Sequence, residues 1–246
     1  MKVKVIGSGC MWTKYNSACY LIDDDIMVDF PNGAAKYLYR LGIDINSINN
    51  ILVTHFHGDH YFDIPVCLLY RVKNNENSLN IYSSREGKRK IKKLYKLAFP
   101  HSSKEVFKSG VCKFNFDSNF ILNDYTVTRL LVDHGNLKPA HGYIFEKDDI
   151  KVGFTGDTVI CDNVKYMASV CKYLFCDCSG IEGNSSHMGI DNLKELSSKY
   201  KDCKFVVSHM LDKTREELKK LKIKNVIIPE DGMEIDIKYI FIYSNT

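Results

Sequence analysis

His55-Phe56-His57-Gly58-Asp59-His60 packs three of the chain's eight histidines, and an aspartate, into six residues. The apolar run Ile51 to Thr54 leads straight into it and reads as a short buried strand. Two histidines at i and i+2 project together from the turn that follows. Asp59 and His60 then open the next helix. Such a knot can present two groups of ligands to two adjacent metal positions. Neutral imidazole and carboxylate are good ligands for zinc, iron or manganese.

Further along the chain, three residues share one kind of location. His134 follows Leu130-Leu131-Val132, Asp157 follows Lys151 to Phe154, and His209 follows Phe205-Val206-Val207. Each stands just past the C-terminal end of an apolar strand, where sites gather in open α/β sheets. His187 falls in the loop between the strand at Tyr173 and the helix at Asp191, on the same rim. A lone Gly156-Asp157-Thr158 reads as a turn, and His101 and His141 read as satisfied core histidines. The hexapeptide together with three strand-end ligands is hard to obtain by chance.

The surrounding pattern is one of alternation. Strands are predicted at Lys2 to Ile6, Cys19 to Ile22, Ile26 to Asp29, Ile51 to Thr54 and Asn80 to Ser83. In the second half they are predicted at Thr126 to Val132, His141 to Glu146, Lys151 to Phe154, Tyr173 to Cys176, Phe205 to Ser208 and Val226 to Ile228. Helices are predicted from Ala34 to Leu41, ended by Gly42, then Asp59 to Tyr70 with Pro65 as a kink, and Arg85 to Ala98. Three more lie near Asp162 to Cys171, Asp191 to Tyr200 and Arg215 to Leu221, the last with Thr214 and Glu217 as a capping box. Strand–helix alternation in both halves, mixed with hairpins such as Glu146 to Ile150, indicates an α/β sandwich with mixed sheets.

The chain has 246 residues, 45% hydrophobic and 26% charged, with five prolines. These values exclude a disordered or fibrous chain. With no linker and no repeat, residues 1–246 are expected to form one domain of two similar halves, about 1–124 and 125–246. No window approaches 18 uninterrupted apolar residues, and Met1 to Gly7 is no signal peptide, so a cytoplasmic protein without membrane contact is expected. The nine cysteines are then reduced thiols. Cys161, Cys176 and Cys178 read as buried thiols near the site. The net charge of +4 permits an anionic substrate without demanding one.

The signature His55 to His60, followed in order by His134, Asp157 and His209, resembles the metallo-β-lactamase superfamily. The resemblance implies an αββα four-layer sandwich with two mixed sheets and a dinuclear metal site along one edge. It implies that the first metal takes His55, His57 and His134, that the second takes Asp59, His60 and His209, and that Asp157 bridges both. Asp29, after Ile26 to Val28, matches an aspartate that braces the site. Two divalent ions, zinc, iron or manganese, would share a hydroxide that attacks the substrate.

Within the superfamily the chain resembles the ribonuclease Z and small phosphodiesterase branch. Gly7-Ser8-Gly9 with Asn16-Ser17-Ala18 looks like that branch's glycine loop. Tyr61-Phe62-Asp63-Ile64-Pro65 after His60 is similar to its GDHxxGLP segment, with Asp63 and Ile64 in place of glycine and leucine. Ser186-His187-Met188 resembles its extra histidine. The departure is that residues 135–156 hold a hairpin and leave no room for a tRNA-binding arm. Catalysis is expected to rest on Asp59 and on His187, the latter protonating the leaving oxygen.

The expected substrate is a small phosphodiester. The alternatives are a thioester, lactone or other carboxylic ester, or a metal-holding sensor without turnover. Nucleic acid is not favoured: the basic helix Arg85 to Ala98 has an ordinary core face in Ile91, Leu94 and Ala98. The Tyr and Phe residues read as core rather than as a stacking platform. A homodimer would build a larger binding face.

Overall fold

In this computed structural model, residues 1–74 and 76–238 are described. Short β-branched and aromatic runs form β1 (Lys2–Gly7), β2 (Cys19–Ile22), β3 (Ile26–Val28), β4 (Asn50–Leu52), β5 (Leu79–Tyr82) and β6 (Cys112–Asn115). Between them lie α1 (Ala34–Arg40), α2 (Gly58–Tyr61), α3 (Ile64–Lys73), α4 (Arg85–Ala98) and α5 (Ser103–Lys108). The chain continues with β7 (Asn119–Leu122), β8 (Tyr125–His134), β9 (Leu137–Lys147), β10 (Ile150–Phe154), α6 (Asp162–Val170) and β11 (Tyr173–Asp177). Among the described residues, α7 (Ile190–Lys199), β12 (Lys204–Ser208), α8 (Asp212–Leu221), β13 (Val226–Ile227) and β14 (Glu234–Asp236) follow.

Two seven-stranded sheets result, in the orders β14-β1-β2-β3-β4-β5-β6 and β13-β12-β11-β10-β9-β8-β7. Both are mixed. β3 to β6 run parallel in the first, β10 to β13 in the second, and the hairpin strands are antiparallel. β14 returns to pair with β1, Lys2 opposite Asp236.

Alternation along the strands divides the apolar side chains into three layers of core. Val3, Val5, Tyr20, Phe154, Phe175 and Val206 fill the space between the sheets. The Tyr20 ring stands 5.2 Å from that of Phe154 and 5.0 Å from that of Phe175. The outer face of the first sheet packs against helices through residues such as Ile51, Leu68, Ile91 and Tyr95. The second does so through Val164, Leu193, Val207 and Leu218. The molecule is therefore the expected αββα sandwich, and the parallel strands of both sheets feed their C-terminal ends to one edge.

Several local expectations are corrected. The helix predicted from Asp59 to Tyr70 is two helices. The chain turns at Phe62 and Asp63, where the Asp63 N–H donates to the Phe30 carbonyl and the Asp63 carboxylate accepts from the Ala35 N–H. Pro65 sits in the first turn of α3, where a missing N–H costs nothing. The capping box at Thr214 does not form. α8 begins at Asp212, and the Thr214 hydroxyl instead donates to the buried Ser179 carbonyl at 2.7 Å. His101 is exposed, so it is no core residue, whereas His141 is buried. Ala98 is exposed as well, and the core stripe of α4 is Gly87, Ile91 and Tyr95. All nine cysteines are free. No helix among the described residues is long and apolar enough to cross a membrane.

Candidate metal centre

The ligand candidates converge on the edge where the strands end. β4 hands the chain to Thr54 and His55, and α2 opens with Asp59 and His60 one residue after His57. β8 ends on His134, β10 stops three residues before Asp157, and β12 stops just before His209. Two of the turns are tight. Asp29 and His209 adopt left-handed backbone, with φ of 59° and 55°, which is uncommon for residues with a side chain and tends to mark functional sites. Gly156 has φ of 61°, and a Cβ there would meet Thr54 at 2.7 Å. The turn that delivers Asp157 therefore requires glycine.

His55, His57, His134 and Asp157 form one group of mutually close donor atoms, and Asp59, His60 and His209 form a second. Asp157 stands between them: its Oδ2 lies 3.2 Å from the Nε2 of both His60 and His209 and 3.6 Å from that of His55. His209 Nε2 also lies 3.4 Å from Asp59. All seven residues are buried except His57.

Hydrogen bonds behind the rings decide which nitrogens face the centre. Asp29 accepts from the Thr54 N–H at 2.8 Å and from its hydroxyl at 2.7 Å. That hydroxyl is thereby left to accept from His55 Nδ1 at 3.1 Å. The same carboxylate accepts from His60 Nδ1 at 2.8 Å, and the Ser186 carbonyl accepts from His134 Nδ1 at 2.7 Å. Each ring spends its Nδ1 proton outward, so the three Nε2 atoms carry lone pairs inward. Burial, and then the neighbouring His60, lower the pKa of His55, which favours the neutral form that a metal needs.

The inward atoms have too few donors. His55 Nε2 and His134 Nε2 both face His57 Nδ1, at 3.2 and 3.1 Å. His60 Nε2 and Asp59 Oδ1 are buried without a hydrogen-bond partner. Converging, partnerless lone pairs are costly in a dry interior. This donor set fits divalent cations.

His187 adjoins this set and forms a third group of close donor atoms with Asp157 and His209. Its ring stacks on His209, with centroids 4.8 Å apart and planes 9° apart. Its Nδ1 is 2.8 Å from Asp177 Oδ2 and 4.0 Å from Asp157. Burial pulls its pKa down, but the hydrogen bond and charge of Asp177 outweigh that, and the net shift is upward. Asp177 is itself buried and accepts from the Thr158 N–H at 3.0 Å. Sequence reasoning missed it, although it ends the apolar strand β11 just as His134 ends β8.

This edge-sited cluster on a two-sheet sandwich defines a metallo-β-lactamase superfamily protein of the ribonuclease Z-like branch. More narrowly, the chain belongs to the family described as "Anti-Pycsar protein Apyc1", which matches residues 1–228. It is 27% identical over 127 residues to ribonuclease Z of Thermococcus kodakarensis, a match covering 50% of this chain and 38% of that protein. The chain thus spans well under half the length of that relative. Human tRNase Z, short form, superposes with a TM-score of 0.74 at 16% identity, covering 97% of this chain and 100% of the other. A diphosphatase of the PhnP family gives 0.75 at 17% identity, covering 97% and 98%. At these identities the likeness is one of fold.

Proposed function

We propose that this chain is a metal-dependent phosphodiesterase acting on a small phosphodiester. The observation that carries the reading is the His187–Asp177 pair at 2.8 Å, placed beside two groups of metal-ligand atoms. His55, His57 and His134 would hold one cation and Asp59, His60 and His209 a second, with Asp157 shared. Bound there, such ions supply a water that is nucleophilic at neutral pH and positive charge for the phosphoryl oxygens.

The chain's own residues do the rest. Asp177 holds the His187 ring by Nδ1, which leaves Nε2 to give its proton to the leaving oxygen. Asp29 fixes His60 and, through Thr54, His55. Asp59 keeps one buried oxygen free to accept a hydrogen bond. A small substrate suits the cavity of about 250 Å³ bounded by His57, His134, Leu137, Ser186 and His187. Residues 135–156 are taken up by β9, β10 and their turns, which supports a small substrate over a long RNA. The names ribonuclease Z and diphosphatase put phosphorus substrates on similar scaffolds. If the family's description, "Anti-Pycsar protein Apyc1", applies to this chain, cleavage of such a phosphodiester would be the activity behind it.

The test is metal content together with hydrolysis of a bis-aryl phosphodiester, for the wild type and Asp157→Ala. Two ions per chain, and activity that vanishes in the variant, are expected. Small cyclic phosphodiesters should then be cleaved faster than RNA. Two ions with cleavage only of a thioester or lactone would replace this reading by carboxylic-ester hydrolysis. No metal after reconstitution would overturn the centre itself.

A further inference from the structure

The cavity beside His187 is bounded by residues 134–137 and 185–187, and the segment that joins β1 to β2 carries two exposed apolar side chains. Met11 and Trp12, the latter the chain's one tryptophan, are 48% and 78% exposed. Large apolar side chains standing in water need a reason when they lie beside a site.

The turn that carries these two is held at its flanks. The Cys10 N–H donates to the carbonyl of Met210, the residue after His209, and the Thr13 N–H and hydroxyl both reach the Cys10 carbonyl. Below the turn, the buried Arg215 guanidinium lies 3.8 Å from the Tyr15 ring centre and donates to Ser8 Oγ at 2.6 Å. Asp231 accepts from Ser8 Oγ at 2.9 Å and from the Asn16 N–H at 2.7 Å. A buried charged network therefore clamps both flanks of a six-residue turn while its tip carries an exposed indole.

The base of the turn lies at the metal edge. The Cys10 thiol is buried, which raises its pKa; it accepts from the Trp12 N–H and lies within the field of the Asp59 and Asp157 carboxylates. Apolar side chains also follow the ligands from other elements. Phe62, 47% exposed, lays its ring on Gly58 between His57 and Asp59, and Leu211, 38% exposed, comes two residues after His209. Residues 135–137 and 185–187 bound the cavity, and the turn that carries Trp12 is anchored on Met210, next to His209.

We propose that Trp12 is a specificity-determining residue whose indole stacks on a planar aromatic group of the substrate, on the ester arm that stays with phosphorus when the other leaves. The inference rests on the phosphodiesterase reading and deepens it. An indole on a turn held at both flanks offers a large apolar face, and stacking on it tolerates any planar ring.

Two substrates separate this from a structural role. Bis(4-nitrophenyl) phosphate and methyl 4-nitrophenyl phosphate share a leaving group and differ in whether the retained arm is aromatic. Trp12→Ala should raise KM for the bis-aryl ester about tenfold, near the lower end of base–aromatic stacking, and leave the methyl ester within about twofold. Trp12→Phe should restore most of the loss. Equal loss on both esters, or none on either, overturns the proposal.

A binding readout stands apart from turnover. The single tryptophan's fluorescence should be quenched by nucleoside 5′-monophosphates and not by ribose 5-phosphate. No quenching by either, or equal quenching by both, overturns the proposal even if hydrolysis is robust. Quenching confined to the nucleotides, with no phosphodiester cleaved by the wild type, would keep the stacking platform and remove the phosphodiesterase reading.

Discussion

Helix α4 and the hexapeptide His55 to His60 both concentrate charge, and they are built on opposite principles. α4 carries seven cations, yet four of them lie over aromatic rings. Arg85 covers Phe116 at 5.4 Å, Lys88 covers Phe114 at 5.8 Å, Lys90 covers Phe56 at 5.4 Å and Lys92 covers Phe107 at 5.1 Å. Glu86 meets Lys90 at 3.0 Å. These charges are satisfied inside the molecule, with water on their other side. In the hexapeptide the protons point outward, to Asp29 and Thr54, and the acceptors face one another. In the second arrangement the converging buried atoms are left to be completed by something that binds. Density of charge thus says less about function than whether each charged or lone-pair group has already found its complement.

That contrast is broken most forcefully at the aspartate behind His187. Asp177→Asn should cut turnover by roughly 10²-fold or more and leave metal content unchanged, because it removes the group that holds a proton donor rather than a ligand. Without the carboxylate, burial is the larger influence on His187 and its pKa falls. Activity that needs the protonated ring is lost as pH rises through that pKa, so the loss should begin at lower pH in the variant. Metal loss, or an unmoved pH profile, would make Asp177 structural. Next in size is Asp29→Asn, which removes the acceptor shared by His60 and Thr54. Metal affinity measured by chelator competition should fall roughly 10- to 100-fold. An unchanged affinity would mean that the rings keep their orientation without it.

How much of this was legible in the sequence follows from how local each signal is. The hexapeptide, His134, Asp157 and His209 were readable as candidates because a donor residue just past an apolar strand is a local pattern, and the structure brings all of them to one edge. Asp177 obeys the same rule at the end of Leu174-Phe175-Cys176, but two flanking cysteines drew the reading toward thiols. Thr214 with Glu217 has the capping-box spacing, yet the hydroxyl found a tertiary partner in Ser179, which no local pattern reveals. The break between α2 and α3 is likewise tertiary, since Asp63 is bound by Phe30 and Ala35 from another part of the chain. β6, β7 and β14 are short and lie at or near sheet margins, where burial is partial and alternation faint. Trp12 stands out only once its exposure and its clamp are known.

His141 sharpens the comparison from within the core, as a buried histidine outside the metal edge. Burial first, and then the Arg129 charge, lower its pKa to about 4, against a partial opposing pull from a hydrogen bond to the Thr54 backbone. The folded state keeps it neutral while the unfolded chain protonates it near its ordinary pKa. Below about pH 6.5 the unfolded state therefore binds more protons, and stability falls as pH drops, levelling off near the folded value. Denaturation at pH about 7 and about 4.5 should show the wild type losing about 2 kcal/mol more than His141→Gln over that interval. An equal loss in both would place the titration elsewhere.

The smallest effect belongs to α4 itself. Lys88→Gln with Lys92→Gln removes two cations that cover Phe114 and Phe107 while leaving the buried stripe of Gly87, Ile91 and Tyr95 intact. If these charges have found their complement in the rings, the double variant should lose only about 0.5–1 kcal/mol per contact. Its affinity for single-stranded RNA should match that of the wild type at each salt concentration. A phosphate-binding helix behaves otherwise: each lost contact weakens binding and flattens its salt dependence. A drop of about tenfold in RNA affinity with a shallower salt slope would therefore show that the cations over the rings still serve a ligand, and the contrast between the helix and the histidine knot would no longer hold.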